Sequence, residues 1–431
     1  MTRHPSIGAL LLALLAILAA TSRIIEKRAT ALVADAATAP RFEVDPLWPK
    51  PLPNHWLLGQ TIGVSVDARD HVWIIHRAGS LEPGELHATT TPQTAQCCAP
   101  APPILEFDAD GTLVGHWGGK GTGYDWPESN HGITVDYKGN VWIGGNGRGQ
   151  QPGARGTAAA GARGQQPAFV LDESQTGGIQ GYFNDSMVLK FTQDGKFLMQ
   201  IGKPGQSKGS NDVQNLRLPA KTFIDKTANE VYVADGYGNH RVIVYDADTG
   251  AYKRHWGAYG KKPDDVNLGN YDPNAPPPQQ FRNPVHCAEL TTSDRLLYVC
   301  DRANDRIQVF KPDGTFVKET FINKETRGSG SVWDITFSRD PQQKYLYLAD
   351  GENDRVHILD RQSLEMLTTF GEGGRQPSMF YGVHSIATDS KGNIYTTETW
   401  EGKRLQRFVY KGLAPVTKQD QGVLWPATAT R

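Results

Sequence analysis

Residues 297–317 read LYVCDRANDRIQVFKPDGTFV. Leu297-Tyr298-Val299-Cys300-Asp301 is a short strand rich in β-branched and aromatic residues. Asn304-Asp305-Arg306 makes a turn into a second strand, Ile307-Gln308-Val309-Phe310. Pro312-Asp313-Gly314 then turns into a third, begun by Phe316-Val317. Strands of this length bounded by Asp, Asn, Gly and Pro mark antiparallel hairpins. The same phrase precedes it as Val231-Tyr232-Val233-Ala234-Asp235 with Asn239-His240-Arg241. It follows as Tyr347-Leu348-Ala349-Asp350 with Asn353-Asp354-Arg355. No long segment carries a helical period.

Six such units can be laid along the chain, each with four strands. A four-stranded unit recurring at roughly 40–50 residues is a propeller blade. One blade cannot bury both faces of its sheet, whereas six stacked radially can. The expected fold is therefore all-β, a six-bladed propeller over residues 41–412, followed by a tail at 413–431. The repeated Asn-(His/Asp)-Arg turn is the signature of the NHL repeat class. Arg241, Arg306 and Arg355 are expected as scaffold residues that bridge between blades. Surface excursions are expected at 79–103 and 259–280, and a mobile Gly/Ala/Gln/Arg insert at 145–168.

Composition narrows the function. The 431 residues hold 45 Lys plus Arg against 46 Asp plus Glu, a formal charge of −1. Nothing in that balance recruits a nucleic acid. At the N-terminus, Arg3 and His4 precede the apolar run Ile7–Ala20. That run is shorter than the ~20 residues of a membrane span and matches a signal-peptide core, with processing expected within residues 1–36. The expectation is export to the periplasm or outside the cell, with no stable span after cleavage. An uncleaved anchor is the alternative. Cys287 and Cys300 fall on neighbouring strands of one hairpin, where a cross-link and two buried thiols are both open readings.

At one matched position the six units carry Ile62, His131, Ala220, His286, Trp333 and His384. Histidine takes every second place. On a six-fold ring the three imidazoles would converge at one height near the axis. A three-His set leaves a fourth coordination position for water or substrate, as catalytic zinc sites do. Zinc is the expected metal, with iron, copper and manganese as alternatives.

Over about residues 55–410 the chain resembles the catalytic domain of peptidyl-α-hydroxyglycine α-amidating lyase. The resemblance is carried by His76-Arg77, His131-Gly132, Asp235-Gly236-Tyr237-Gly238-Asn239-His240-Arg241, Pro284-Val285-His286, Asp301-Arg302 and His384. It implies a zinc site of His131, His286 and His384, with Tyr237 as general base. It also implies Arg77 in catalysis and substrate binding, and Arg302 as a further active-site arginine. The implied reaction cleaves a carbinolamide N–C bond to an amide and glyoxylate. The implied substrate is a small molecule or peptide with a carboxylate.

Three positions depart from the family. Gly238 stands where the family has a disulfide cysteine beside the tyrosine, so its disulfides do not transfer. Gly382 stands where the family has Met. Ser385 stands where it has an Asp that helps hold a structural calcium, so Ca²⁺ is doubtful here. A related lyase or hydrolase acting on another carboxylate compound is one alternative. A non-catalytic propeller that binds a protein or glycan is another. A lactonase or esterase is a third, but that class uses a calcium site rich in Asp, Asn and Glu.

Overall fold

The computed structural model describes residues 37–147 and 184–426. The expected signal segment and nearly all of the 145–168 insert lie outside them. Six four-stranded antiparallel sheets form the body. Their innermost strands are Gln60–Val66, Asn130–Val135, Lys221–Asp225, Val285–Leu290, Asp334–Phe337 and Val383–Thr388, in blades 1 to 6. Each packs against the next and the last against the first, closing the ring. The chain is a six-bladed β-propeller.

Burial explains the strand patterns. Second strands such as Glu230–Asp235 and Tyr345–Asp350 are buried at every position, because neighbouring blades cover both of their faces. They read as continuous apolar runs rather than as alternation. Outer strands such as Leu113–Trp117 alternate half-buried and exposed positions. Between blades 3 and 4 the core interleaves Tyr232, Val242, Val244 and Trp256 with Val285, Leu297, Val299 and Phe310. Each such side chain contributes about 1.5–3 kcal/mol by leaving water.

Blade 6 is built from both ends of the chain. Thr38–Asp45 pairs antiparallel with Leu405–Pro415 as its outermost strand. The folded body thus extends past both expected boundaries, 41 and 412. Beyond Pro415 the chain stays docked: Thr369 N–H donates to the Gln419 carbonyl, and Leu424 N–H to Phe42. The stretch expected as a separate tail is, as far as residue 426, part of the closure. Among the described residues no helix is long and apolar enough to cross a membrane.

The three expected scaffold arginines differ. Arg241 bonds Asp235 at 2.8 Å and reaches back to the carbonyls of Ser210, Asp212 and Asn215. Arg306 pairs with Asp301 at 2.7 Å and with the Pro278 and Gln280 carbonyls. Both pin the connection leading from the preceding blade. Arg355 does not: its side chain is 37% exposed and pairs with Asp420 in the C-terminal segment. His357 takes the blade 5 aspartate instead, with Nε2 3.0 Å from Asp350. Cys287 and Cys300 are cross-strand partners joined by a disulfide, with Cα atoms 4.8 Å apart.

Candidate metal centre

Local backbone geometry delivers the histidines. In blades 2, 4 and 6 the pairing of the innermost strand slips at His131, His286 and His384 respectively. His286 and His384 are each the extra residue of a β-bulge, whereas in blade 2 the extra residue is Gly132, directly after His131; such a bulge re-aims a side chain. In blade 2 the bulge needs Gly132, at φ +64°. A Cβ there would stand 2.3 Å from the Ala220 carbonyl oxygen, the atom that His131 uses.

That use explains the alternation. His131 Nδ1 lies 2.7 Å from the Ala220 carbonyl, and His286 Nδ1 2.5 Å from the Trp333 carbonyl. His384 Nδ1 has no bond of ordinary geometry, although the Ile62 carbonyl is close enough to favour its charged form. The odd units therefore supply backbone acceptors and the even units supply imidazoles. A carbonyl only accepts, so Nδ1 of His131 and His286 carries the proton and Nε2 is a bare lone pair.

The ring centroids of the three imidazoles are 4.8–5.0 Å apart, and one ligand nitrogen from each lies within 4.8 Å of the others. The Tyr237 hydroxyl sits 3.0 Å from Nε2 of both His131 and His286. One hydroxyl proton satisfies only one of them. Burial pulls all three imidazoles well below the usual histidine range. Arg77 adds to this at His131 and His384, and Arg302 at all three. The cluster is thus neutral, with the Nε2 lone pairs of His131 and His286 free to bind a metal. The donor set fits zinc, held by His131, His286 and His384.

Two guanidiniums flank it. Arg77 ends the second strand of blade 1 and bonds the Asn130 carbonyl, Gln60 Oε1 and Asn146 Oδ1 at 2.9–3.2 Å. Burial lowers its pKa, against an opposing pull from Tyr237. Arg302 donates to the Tyr237 hydroxyl at 3.0 Å and the Ser329 carbonyl at 2.9 Å. Its guanidinium also lies over the Trp333 ring at 4.5 Å. Neither arginine forms an ion pair with a described residue. All six expected site residues therefore surround one point, on loops or strand ends of blades 1 to 4 and 6.

Sequence reasoning missed the wall of this site. Trp333 packs edge-on to His384 at 5.3 Å and to Trp400 at 5.5 Å. Trp400 also explains Gly382: at φ +70°, a Cβ would stand 2.6 Å from the indole. The aromatic pair fills the space beside the third histidine. Trp333 was visible at the matched position, but no side-chain pattern announces a wall.

The calcium implied by the resemblance does not fit. Ser385 is neutral, and its hydroxyl donates to Asp334 at 2.6 Å. The Lys221 ammonium already lies 2.8 Å from both Asp334 and Glu289. No role is assigned to calcium.

Against known proteins, the profile described as "Lactonase, 7-bladed beta-propeller" matches residues 257–377. The described residues form six four-stranded sheets, not seven. The chain is 25% identical over 352 residues to peptidylglycine alpha-amidating monooxygenase of Rattus norvegicus, covering 80% of this chain and 30% of that protein. It is 27% identical over 198 residues to peptidyl-alpha-hydroxyglycine alpha-amidating lyase 1 of Drosophila melanogaster, covering 43% and 34%. It is 26% identical over 206 residues to human NHL repeat-containing protein 3, covering 47% and 51%. The chain thus spans about a third of the length of the amidating enzymes it matches. It is a propeller distantly similar to amidating enzymes and to NHL-repeat proteins, with a buried histidine triad able to bind a metal.

Proposed function

We propose that this protein is an exported zinc-dependent lyase. Its substrate would be an α-hydroxyglycine-like carbinolamide, split at the N–C bond into an amide and glyoxylate. One observation carries the reading: three buried imidazoles, a phenol and two guanidiniums that form no ion pair with a described residue surround one point. Zinc, when bound, supplies a charge that lowers the pKa of the substrate hydroxyl.

The protein's own groups do the rest. Arg77 and Arg302 attract the substrate carboxylate, and a guanidinium can grip it through two parallel hydrogen bonds. Tyr237, in its phenolate form, takes the hydroxyl proton. Arg302, 3.0 Å from that oxygen, stabilises the phenolate. As the C=O of glyoxylate forms, the C–N bond breaks and its electron pair stays on nitrogen. The proton held by Tyr237 then passes to the leaving amide. Burial of the triad keeps bulk water from the reacting atoms. Export is supported by the apolar run Ile7–Ala20 and by the Cys287–Cys300 bond.

The test begins with metal analysis of purified protein, expected at about one zinc per chain. Glyoxylate release from an α-hydroxyglycine compound is then expected to follow zinc content. Zinc-replete protein that releases none overturns the lyase reading. It then leaves a reaction on another carboxylate compound. Similarity to NHL repeat-containing protein 3 supports a second reading, a scaffold propeller, which metal-free protein with an intact fold would favour.

A further inference from the structure

One step along the axis from the imidazoles, the inner strands carry a second polar tier. Lys221 comes from blade 3, Glu289 from blade 4, Asp334 from blade 5 and Ser385 from blade 6. The ammonium lies 2.8 Å from Asp334 Oδ1, 2.9 Å from Oδ2 and 2.8 Å from Glu289 Oε1. Asp334 Oδ2 accepts the Ser385 hydroxyl at 2.6 Å and the Ile386 N–H at 3.1 Å. Ser385 Oγ in turn accepts the Val64 N–H of blade 1 at 3.4 Å. One ammonium thus links the inner strands of blades 3, 4 and 5 directly, and those of blades 6 and 1 through Ser385. The lysine, Glu289 and Asp334 side chains are 12%, 15% and 2% exposed.

We propose that the Lys221 ammonium is a built-in cation on the propeller axis, standing in place of a divalent ion, so that the native ring takes none there. Two buried carboxylates converging on one point are what a hard cation requires. Here both are already turned to an ammonium, whose like charge repels a divalent ion at that distance. Three further oxygen or nitrogen groups of the chain close the tier around it. This inference is independent of the reaction assigned to the histidine centre.

The experiment compares the zinc-loaded wild type with Lys221→Ala and with Lys221→Met/Glu289→Gln/Asp334→Asn. Calcium is measured by equilibrium dialysis, and thermal unfolding is followed with and without 10 mM CaCl₂. For the wild type we expect no bound calcium beyond background and no change in Tm. Lys221→Ala leaves two buried carboxylates uncompensated, so its Tm should drop sharply in calcium-free buffer. Calcium should restore it by about 3 °C or more, with about one ion bound per chain. The neutral triple variant should show no calcium response. A Lys221→Ala chain that folds only with calcium supports the proposal equally. The proposal is overturned by stoichiometric calcium in the wild type, by a calcium-dependent wild-type Tm, or by a Lys221→Ala chain that calcium neither binds nor rescues.

Discussion

Two neighbouring tiers of the inner strands solve opposite problems. The lower tier closes on itself: the Lys221 ammonium, two carboxylates and the Ser385 hydroxyl satisfy one another. The upper tier does not. Three neutral imidazoles meet there, one hydroxyl proton serves two of them, and among the described residues the two guanidiniums have only neutral acceptors and aromatic rings for partners. A buried polar group without a partner costs on the order of 1–3 kcal/mol, and more if charged. On the proposed function, the missing partners of such a tier arrive from outside, a cation and an anion. On that reading the lower tier is scaffold and the upper tier is the site.

The comparison breaks most readily at His286. Replacing it by Ala should cut zinc from about one per chain to under a tenth, and glyoxylate release by ~10³-fold or more. The far-ultraviolet circular dichroism should stay that of the wild type. Zinc retained at full occupancy would show that the upper tier is not a metal site. Next in size is Tyr237→Phe, which should keep the zinc and lose ~10²–10⁴ in kcat with little change in KM. Turnover near the wild-type level would remove the phenol from the chemistry. Arg77→Lys tests the anionic half. It keeps the charge but loses the planar fork, so KM should rise roughly 10–100-fold at unchanged zinc content. An unchanged KM would make Arg77 a bridge between blades 1 and 2.

The smallest effect concerns pH, and it separates the tiers by sign. Burial, partly offset by Lys221, raises the Glu289 pKa from 4.5 to about 7. In that interval the folded state binds more protons than the unfolded state. The Glu289 contribution is therefore present below pH 4.5 and lost as pH rises towards 7. The imidazoles of the zinc-free protein act in reverse. Their folded pKa values lie below the ordinary 6.5, so their contribution is present above pH 6.5 and lost on acidification. Urea unfolding of Glu289→Gln should therefore flatten the loss on the alkaline side, by on the order of 1 kcal/mol between pH 5 and 8. A parallel shift at both pH values would mean that Glu289 stays ionised throughout.

Much of this was legible in residue order. The Leu297–Val317 phrase and its copies announce blades because strand length, turn residues and repeat period are all local properties. His131, His286 and His384 were legible as a set because a ring converts spacing along the chain into angle around an axis. Arg355 shows the limit. It follows the same turn as Arg241 and Arg306 and is the cross-strand partner of its aspartate, yet it turns out to Asp420. Nothing in the turn itself reports that His357 already holds Asp350 or that the C-terminal segment passes nearby. Gly382 read as a departure from a family pattern, and becomes intelligible only with Trp400 against it.

Residue order alone therefore determined the six-bladed ring and which three imidazoles share a level, because both follow from periodicity. Tertiary structure decided three further things. Bulges aim the imidazoles, and backbone carbonyls of the intervening blades fix the proton on Nδ1 of His131 and His286; carbonyls are the same in every residue and carry no sequence signal. Lys221 meets Asp334 across 113 residues of chain, a contact that exists only once the ring has closed. Which guanidiniums meet a carboxylate is likewise a property of the packed ring. A charge in a sequence is free or paired only by virtue of what folding brings to it.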